Sequence, residues 1–351
     1  MSLDSSNSEE EKIAPRVFIG SSSRALPITH AIAKILEDNH TIEVDVWNQG
    51  ILQLGDVLLD ALLRRAALSD FALFVITADD VTLSNGKQLD SPRDNVIFEL
   101  GMFMGTIGRR RAFPVIIYGP NGLPKLPSDL EGLLTCRVQL QNIDNLSILS
   151  NENMKILHQE ITKIRAVLEE RWKETPLSLL PSVGLAFGYF HNFILPVNRL
   201  IDDRKVFYGS TKERFDFKKR NYDFTINIPR LASKATVQMR DRYAKERNWE
   251  SIVAEKEQQI DVQSNRSYSF FAYPERKDDD PIHFCDYPTT MRASSDAISL
   301  ILPQQALGER ADERGLLDRR EARTFFRALE HLLASTDGSH LEGVIKLKWV
   351  D

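Results

Sequence analysis

Five short apolar runs alternate with longer segments of helical period over the first half of the chain. The runs are RVFIG from Arg16, IEVDVW from Ile42, FALFVIT from Phe71, AFPVIIYG from Ala112 and CRVQL from Cys136; LPITHAIAKILED and LGDVLLDALLRRA are two of the segments between them. Such alternation predicts a parallel sheet covered by helices on both faces, because strands this continuously apolar must be buried on both sides. A long helical stretch from about Asn151 to Lys173 closes the unit, and TPLSLLPSVG, with two prolines, reads as a connection.

After Gly184 the pattern changes. An aromatic apolar segment, GLAFGYFHNFILPV, precedes three strand-like runs, DFTINIP, YSFFAY and IHFCDY. One helix is expected after Thr290, a second from Arg319 to about Ala334, and a last strand in GVIKLKW. The predicted organisation is a disordered acidic N-terminus (1–13), an α/β domain (14–175), a linker (176–183) and an α+β domain (184–351).

Composition narrows the function. At 351 residues, 42% hydrophobic and 27% charged, the chain has room for two ordinary globular domains. The longest apolar runs fall well short of the roughly 20 residues that span a bilayer and no signal peptide precedes them, so a cytoplasmic protein is expected. A net charge of -5 argues against a nucleic-acid polymer as partner. The two cysteines, Cys136 and Cys285, lie far apart with no His at ligand spacing, and neither a metal site nor a disulfide is expected.

In an open parallel sheet, ligands bind beyond the carboxyl ends of the strands. SPRDNVIFELGMF places one acid, Glu99, early in an otherwise apolar helix at such an end. GSSSR, Gly20 to Arg24, follows the first strand and is a small-residue turn that lets backbone N–H groups approach a phosphate. On the residues alone, Glu99 is either a solvated acid favoured by the helix dipole or a carboxylate aimed at a ligand, and GSSSR either a plain tight turn or a phosphate cradle.

FIGSSSR, Trp47 at the end of VDVW, the ITADD end of the third strand and above all PRDNVIFELGMFMG resemble bacterial Toll/interleukin-1 receptor (TIR) domains over residues 14–145. GLAFGYFHNFILP, NRSYSFFAY and DYPTT are similar to the first helix, lid strand and base-reading loop of STING, the cyclic-dinucleotide receptor, over 184–351. The whole resembles bacterial TIR–STING fusions of anti-phage (CBASS) signalling, which implies a flavodoxin-like five-stranded TIR domain followed by a STING-like domain. It also implies an NAD+ glycohydrolase with Glu99 catalytic and Ser21, Ser22, Arg24, Trp47 and Asn95 against the NAD+. Trp47 stacks on a base or packs in the core, and Arg93 and Asp94 order the loop and cap the helix.

In the second domain the resemblance places Phe193 on a purine, Arg266 on a phosphate or base edge with Tyr268 nearby, and Thr289 and Thr290 on ligand oxygens. Asp286 would read the base. A carboxylate only accepts, and guanine sets N1–H beside its 2-amino group where adenine has no such pair, so Asp286 favours cyclic di-GMP. The partners implied are a second copy of the chain, in a homodimer that assembles further into filaments, and the two nucleotides; no cofactor is expected, NAD+ being substrate and cyclic di-GMP activator. LGERADERGLL, Leu307 to Leu317, is either an assembly surface or a solvated loop. A nucleoside deoxyribosyltransferase-like enzyme and a non-enzymatic TIR adaptor are the alternatives.

Overall fold

A computed structural model describes residues 14–38, 40–47, 58–84, 86–127, 130, 136–141, 149–174, 181–202, 207–209, 214–215, 222–254, 269–272, 282–301, 311–335, 338, 341 and 343–351. The chain divides into two compact units, Met1–Thr175 and Pro176–Asp351.

In the first unit, all five apolar runs are strands of one parallel sheet: β1 (Arg16–Ser21), β2 (Glu43–Val46), β3 (Phe71–Ile76), β6 (Ala112–Tyr118) and β7 (Cys136–Gln139). Their order, β2-β1-β3-β6-β7, is that of the flavodoxin-like doubly wound fold. Alternation along the strands sorts the core into two layers. Val17, Ile19, Leu73 and Val75 pack with Ile28, Ile32 and Leu36 of α1 (Leu26–Glu37) and with Leu157, Ile161 and Leu168 of α4 (Asn151–Glu174). Phe18, Phe74 and Ile76 face the other way, against Leu62 and Ala66 of α2 (Leu58–Leu68) and Val96, Leu100 and Phe103 of α3 (Asp94–Ile107).

Between β3 and α3 stands a two-stranded hairpin that the sequence pattern did not show, β4 (Asp80–Ser84) and β5 (Lys87–Ser91). β4 alternates over only five residues and β5 has a single apolar residue, Leu89, which hid the pair in the sequence; the apolar residues of β4, Val81 and Leu83, are well exposed.

Gly20 has a packing duty. A Cβ there would stand 2.6 Å from Phe74 Cε1 and 3.1 Å from Phe18 Cε1. Phe103 stacks on Phe18 at 4.4 Å between centroids and meets Phe74 edge-on at 5.2 Å, so these rings have little freedom to retreat. Gly20→Ala is expected to lower stability by roughly 1–3 kcal/mol, as overpacked cores do. Denaturant melting measures it, and an unchanged midpoint would show that the Phe74 ring moves aside at no cost.

The second unit opens with α5 (Pro181–Tyr189), passes through a π-helical turn at Phe190–Ile194 and continues as α6 (Leu195–Asp202). Pro181, Ser182 and Val183, read from sequence as linker, form the first turn of α5; proline suits a helix start, where its missing N–H costs nothing. The sheet has seven strands in the order β14-β10-β13-β12-β11-β8-β9. They are β8 (Phe207–Gly209), β9 (Arg214–Phe215), β10 (Tyr222–Pro229), β11 (Glu250–Ala254), β12 (Ser269–Ala272), β13 (Ile282–Asp286) and β14 (Ile345–Val350). β10, β13 and β14 are parallel and the rest antiparallel, which makes this unit α+β.

Among the described residues, three further helices belong to this unit: α7 (Val237–Glu246), α8 (Arg292–Ile301) and α9 (Ala311–Ala334). The last starts eight residues before the expected Arg319. Leu317, one of the leucines offered to an assembly surface, is buried in α9, while 307–310 lie outside the described residues. Among the described residues, no helix is long and apolar enough to cross a membrane.

Candidate functional site

Glu99 lies on the inner face of α3, one turn before Phe103 and one turn after Val96, both buried. Because α3 runs back along the sheet, the turn before Phe103 lies beyond Phe18, toward the carboxyl ends of β1 and β3. There Glu99 is only 3% exposed and its Oε2 has no hydrogen-bond partner among the described residues. Burial alone pushes its carboxyl up to about 7. Of the apolar residues around it in sequence, Leu100 and Phe103 are buried, whereas Phe98 is 62% exposed on the outer face.

Three more buried polar atoms without a partner among the described residues lie at this end of the sheet: Ser21 Oγ, Trp47 Nε1 and Thr77 Oγ1. Ser21 ends β1 in register with Val75, Trp47 follows β2 and donates its backbone N–H to Ile19 O at 2.8 Å, and Thr77 follows β3. Buried polar atoms are nearly always bonded, so four orphans at the ends of neighbouring elements mark a place built to receive a polar ligand. Thr77 was missed from sequence; the signal was a lone hydroxyl ending the apolar run FALFVIT.

The other NAD-binding candidates divide. Trp47 packs in the core, its ring tilted against Phe18 at 6.2 Å, with only its N–H left to offer. Ser22 is buried and its Oγ accepts from Ala25 N at 3.2 Å, which caps the short helix Ser23–Ala25. Arg24 and Asn95 are exposed. Asp94 does not cap α3: the N-cap residue is Arg93, which makes no side-chain cap bond, and Asp94 sits inside the first turn, where its charge suits the helix dipole.

In the second unit, Asp286 ends β13 and is buried, and its Oδ2 accepts from the phenol of Tyr189 on α5. Tyr189 stacks on Phe193 at 5.0 Å and 27°, and Phe193 in turn tilts against Phe224 at 6.3 Å. Asn227 Nδ2 donates to the Asp286 backbone carbonyl at 3.4 Å. Thr289 and Thr290 follow in a 3-10 turn, with Thr290 Oγ1 buried and unpartnered among the described residues. Phe193, Asp286, Thr289 and Thr290 therefore belong to neighbouring elements, joined by Tyr189, which sequence reasoning passed over as part of an aromatic stripe. Arg266 and Tyr268 lie outside the described residues. Of the cysteines, Cys285 is buried, and burial pushes the Cys136 thiol up to about 11. Among the described residues no group of three His, Cys, Asp or Glu is placed to hold a metal.

Known families match both units: the family described as "CAP12/Pycsar effector protein, TIR domain" over residues 16–140, and "Prokaryotic STING domain" over residues 181–330. The chain is 31% identical over 326 residues to CD-NTase-associated protein 12 of Flavobacterium daejeonense, covering 91% of this chain and 94% of that one. It is 42% identical over 130 residues to a Pycsar effector protein of Burkholderia cepacia, covering 37% and 41%. Among solved structures, a bacterial STING in complex with c-di-GMP is 24% identical with a TM-score of 0.39, over 50% of this chain and 98% of that one.

Proposed function

The chain belongs to the CD-NTase-associated protein 12 family, and from that premise we propose that it is an NAD+ glycohydrolase switched on by a cyclic dinucleotide. Cyclic di-GMP binds a dimer of the STING-like unit and drives assembly into higher oligomers, in which the TIR unit cleaves NAD+ to nicotinamide and ADP-ribose. NAD depletion then aborts phage infection.

The observation that carries the reading is the Glu99 carboxyl, buried in apolar surroundings with an unpartnered oxygen at the carboxyl end of the sheet. The nicotinamide ring of NAD+ is already a cationic pyridinium and departs as neutral nicotinamide, so the C–N bond breaks without a general acid. The electron pair goes to the nicotinamide nitrogen and a positive charge develops on the ribose. A carboxylate held in a low dielectric stabilises that charge far better than one in water. Water then adds to the anomeric carbon and releases a proton, for which a carboxylate with a value near 7 is a suitable acceptor. The unpartnered Ser21 Oγ and Thr77 Oγ1 support the same reading, since a hydroxyl can bond a ribose or phosphate oxygen.

NAD+ loss with no ligand, with cyclic di-GMP and with cyclic di-AMP tests the proposal; it predicts turnover with cyclic di-GMP alone. The pH profile adds a second check. Glu99 must be ionised to act, so kcat/KM is expected to fall about tenfold per pH unit below 7 and to level off above it. A profile flat between pH 5 and 8 would remove Glu99 from the chemistry, and no NAD+ loss under any ligand would leave a TIR domain that only recruits.

A further inference from the structure

In the second unit, hydrogen bonds centred on three carboxylates close into a frame. Asp286 accepts from the Tyr189 phenol at the C-terminal end of α5. At the other end of that helix the Ser182 amide donates to Glu321 Oε2, on α9, at 3.0 Å. Three residues earlier on α9, and so on the same face, both oxygens of Asp318 accept from the Ser233 amide, at 2.9 and 3.0 Å, and Oδ2 also from the Ser233 hydroxyl. The turn that carries Ser233 is held by two more donors: Arg292 Nη1 bonds Ser233 O at 2.7 Å, and the Tyr287 phenol bonds Lys234 O at 3.0 Å. Tyr287 is the chain neighbour of Asp286, so the frame returns to its start.

The α5 and α9 corners are dry: Ser182 and Glu321 are 0% exposed, Tyr189 2% and Asp318 6%. The return through Ser233, Lys234 and Arg292 is partly open to solvent. Helix α5 already packs on α9 through apolar contacts, including Tyr189 against Phe325 at 5.9 Å. Apolar side chains hold two helices together at least as well as buried carboxylates do, so stability alone does not call for this arrangement. What it adds is direction. Each end of α5 is tied to one defined atom, and a helix is stiff enough for a change at one end to be felt at the other.

The two ends also differ in what they adjoin. The Tyr189 end meets Asp286 in the DYPTT loop, and the Ser182 end is the first turn after the segment that joins the two units. We propose that Tyr189, Glu321 and Asp318 are positioning residues that carry the state of the Asp286 carboxylate to the first turn of α5. A ligand that takes the carboxylate from the Tyr189 phenol releases one tie of α5 and alters how Ser182 is held. The ligand half of this statement rests on reading the second unit as a cyclic-dinucleotide receptor; the frame itself does not.

Hydrogen exchange on the full-length protein tests both halves separately. Without ligand, Tyr189→Phe keeps the ring and removes the tie, and amides 182–185 are expected to exchange about tenfold faster than in the parent, as a locally loosened helix end does. Glu321→Leu, which removes the acceptor at similar volume, should speed the same amides from the other side. Acceleration confined to the neighbourhood of residue 189 overturns the frame. With cyclic di-GMP, the parent should show the same acceleration at 182–185. Glu321→Leu should bind within about threefold of the parent, with its already fast amides unmoved by ligand. A parent that binds cyclic di-GMP without change at 182–185 also overturns the coupling. A parent that binds no cyclic dinucleotide overturns the receptor reading instead, and the ligand-free comparison still decides the frame.

Discussion

Glu99→Gln is expected to lose NAD+ cleavage by about three orders of magnitude and, above pH 7, to melt at a higher temperature than the parent. The two effects come from one cause. A carboxyl near 7 in the folded state and 4.5 in the unfolded one favours folding most when it is protonated. That contribution is complete below pH 4.5, declines as pH rises, and is gone above about 7. At pH 8 the parent therefore carries a penalty of about 3 kcal/mol that the uncharged amide avoids. Buried amide hydrogens without partners give part of this back, so about 2 kcal/mol, or some 5 °C for a domain this size, is the expected gain. At pH 4.5 the ionisation penalty is gone and the amide cost remains, so the variant should be level with the parent or about 1 kcal/mol below it. Calorimetry at the two pH values alongside the NAD+ assay is the measurement. A variant that is inactive and destabilised at both pH values would make Glu99 a structural acid.

Asp286→Asn should shift the ligand preference. The carboxylate presents two acceptors to guanine's adjacent donors, whereas the amide presents one acceptor and one donor. A well-made pair of this kind discriminates by about 1–3 kcal/mol, and a symmetric dimer uses it twice. Affinity for cyclic di-GMP should fall by about two orders of magnitude, with cyclic di-AMP changed little. The amide can still accept from the Tyr189 phenol, so the fold is expected to persist. Titration calorimetry with both ligands gives the ratio; a ratio equal to the parent's would take base reading away from Asp286.

The parallel sheet was legible because its strands are buried on both faces, and continuous runs such as FALFVIT leave few other readings. Glu99 was legible for a related reason: a lone acid between apolar residues at the sheet's carboxyl end must be either solvated or buried for use, and it is buried. The hairpin at 80–91 was not legible: DVTLS alternates over only five residues, KQLDS carries one apolar residue, and the two pair with each other outside the main sheet. Nor was the frame around α9. Asp318 and Glu321 sit in the charged string LLDRREA, which reads as a solvated face, and only the packing of α5 shows that two of those acids point inward. Contacts that join Ser182 to Glu321, 139 residues apart, leave no trace in a local pattern.

The π-helical turn at Phe190–Ile194 bears on how this protein can vary over generations. It is one residue longer than an α-helical turn, so the helix on either side of it is set at its own phase. Losing that residue would wind the turn back to regular helix and rotate one half against the other by about 100°. Ser182 and Tyr189 on one side would then no longer point inward together with Val197 and Asn198 on the other. Substitutions at outward positions such as His191 are cheap by comparison, so this stretch should drift readily in spelling and hardly at all in length.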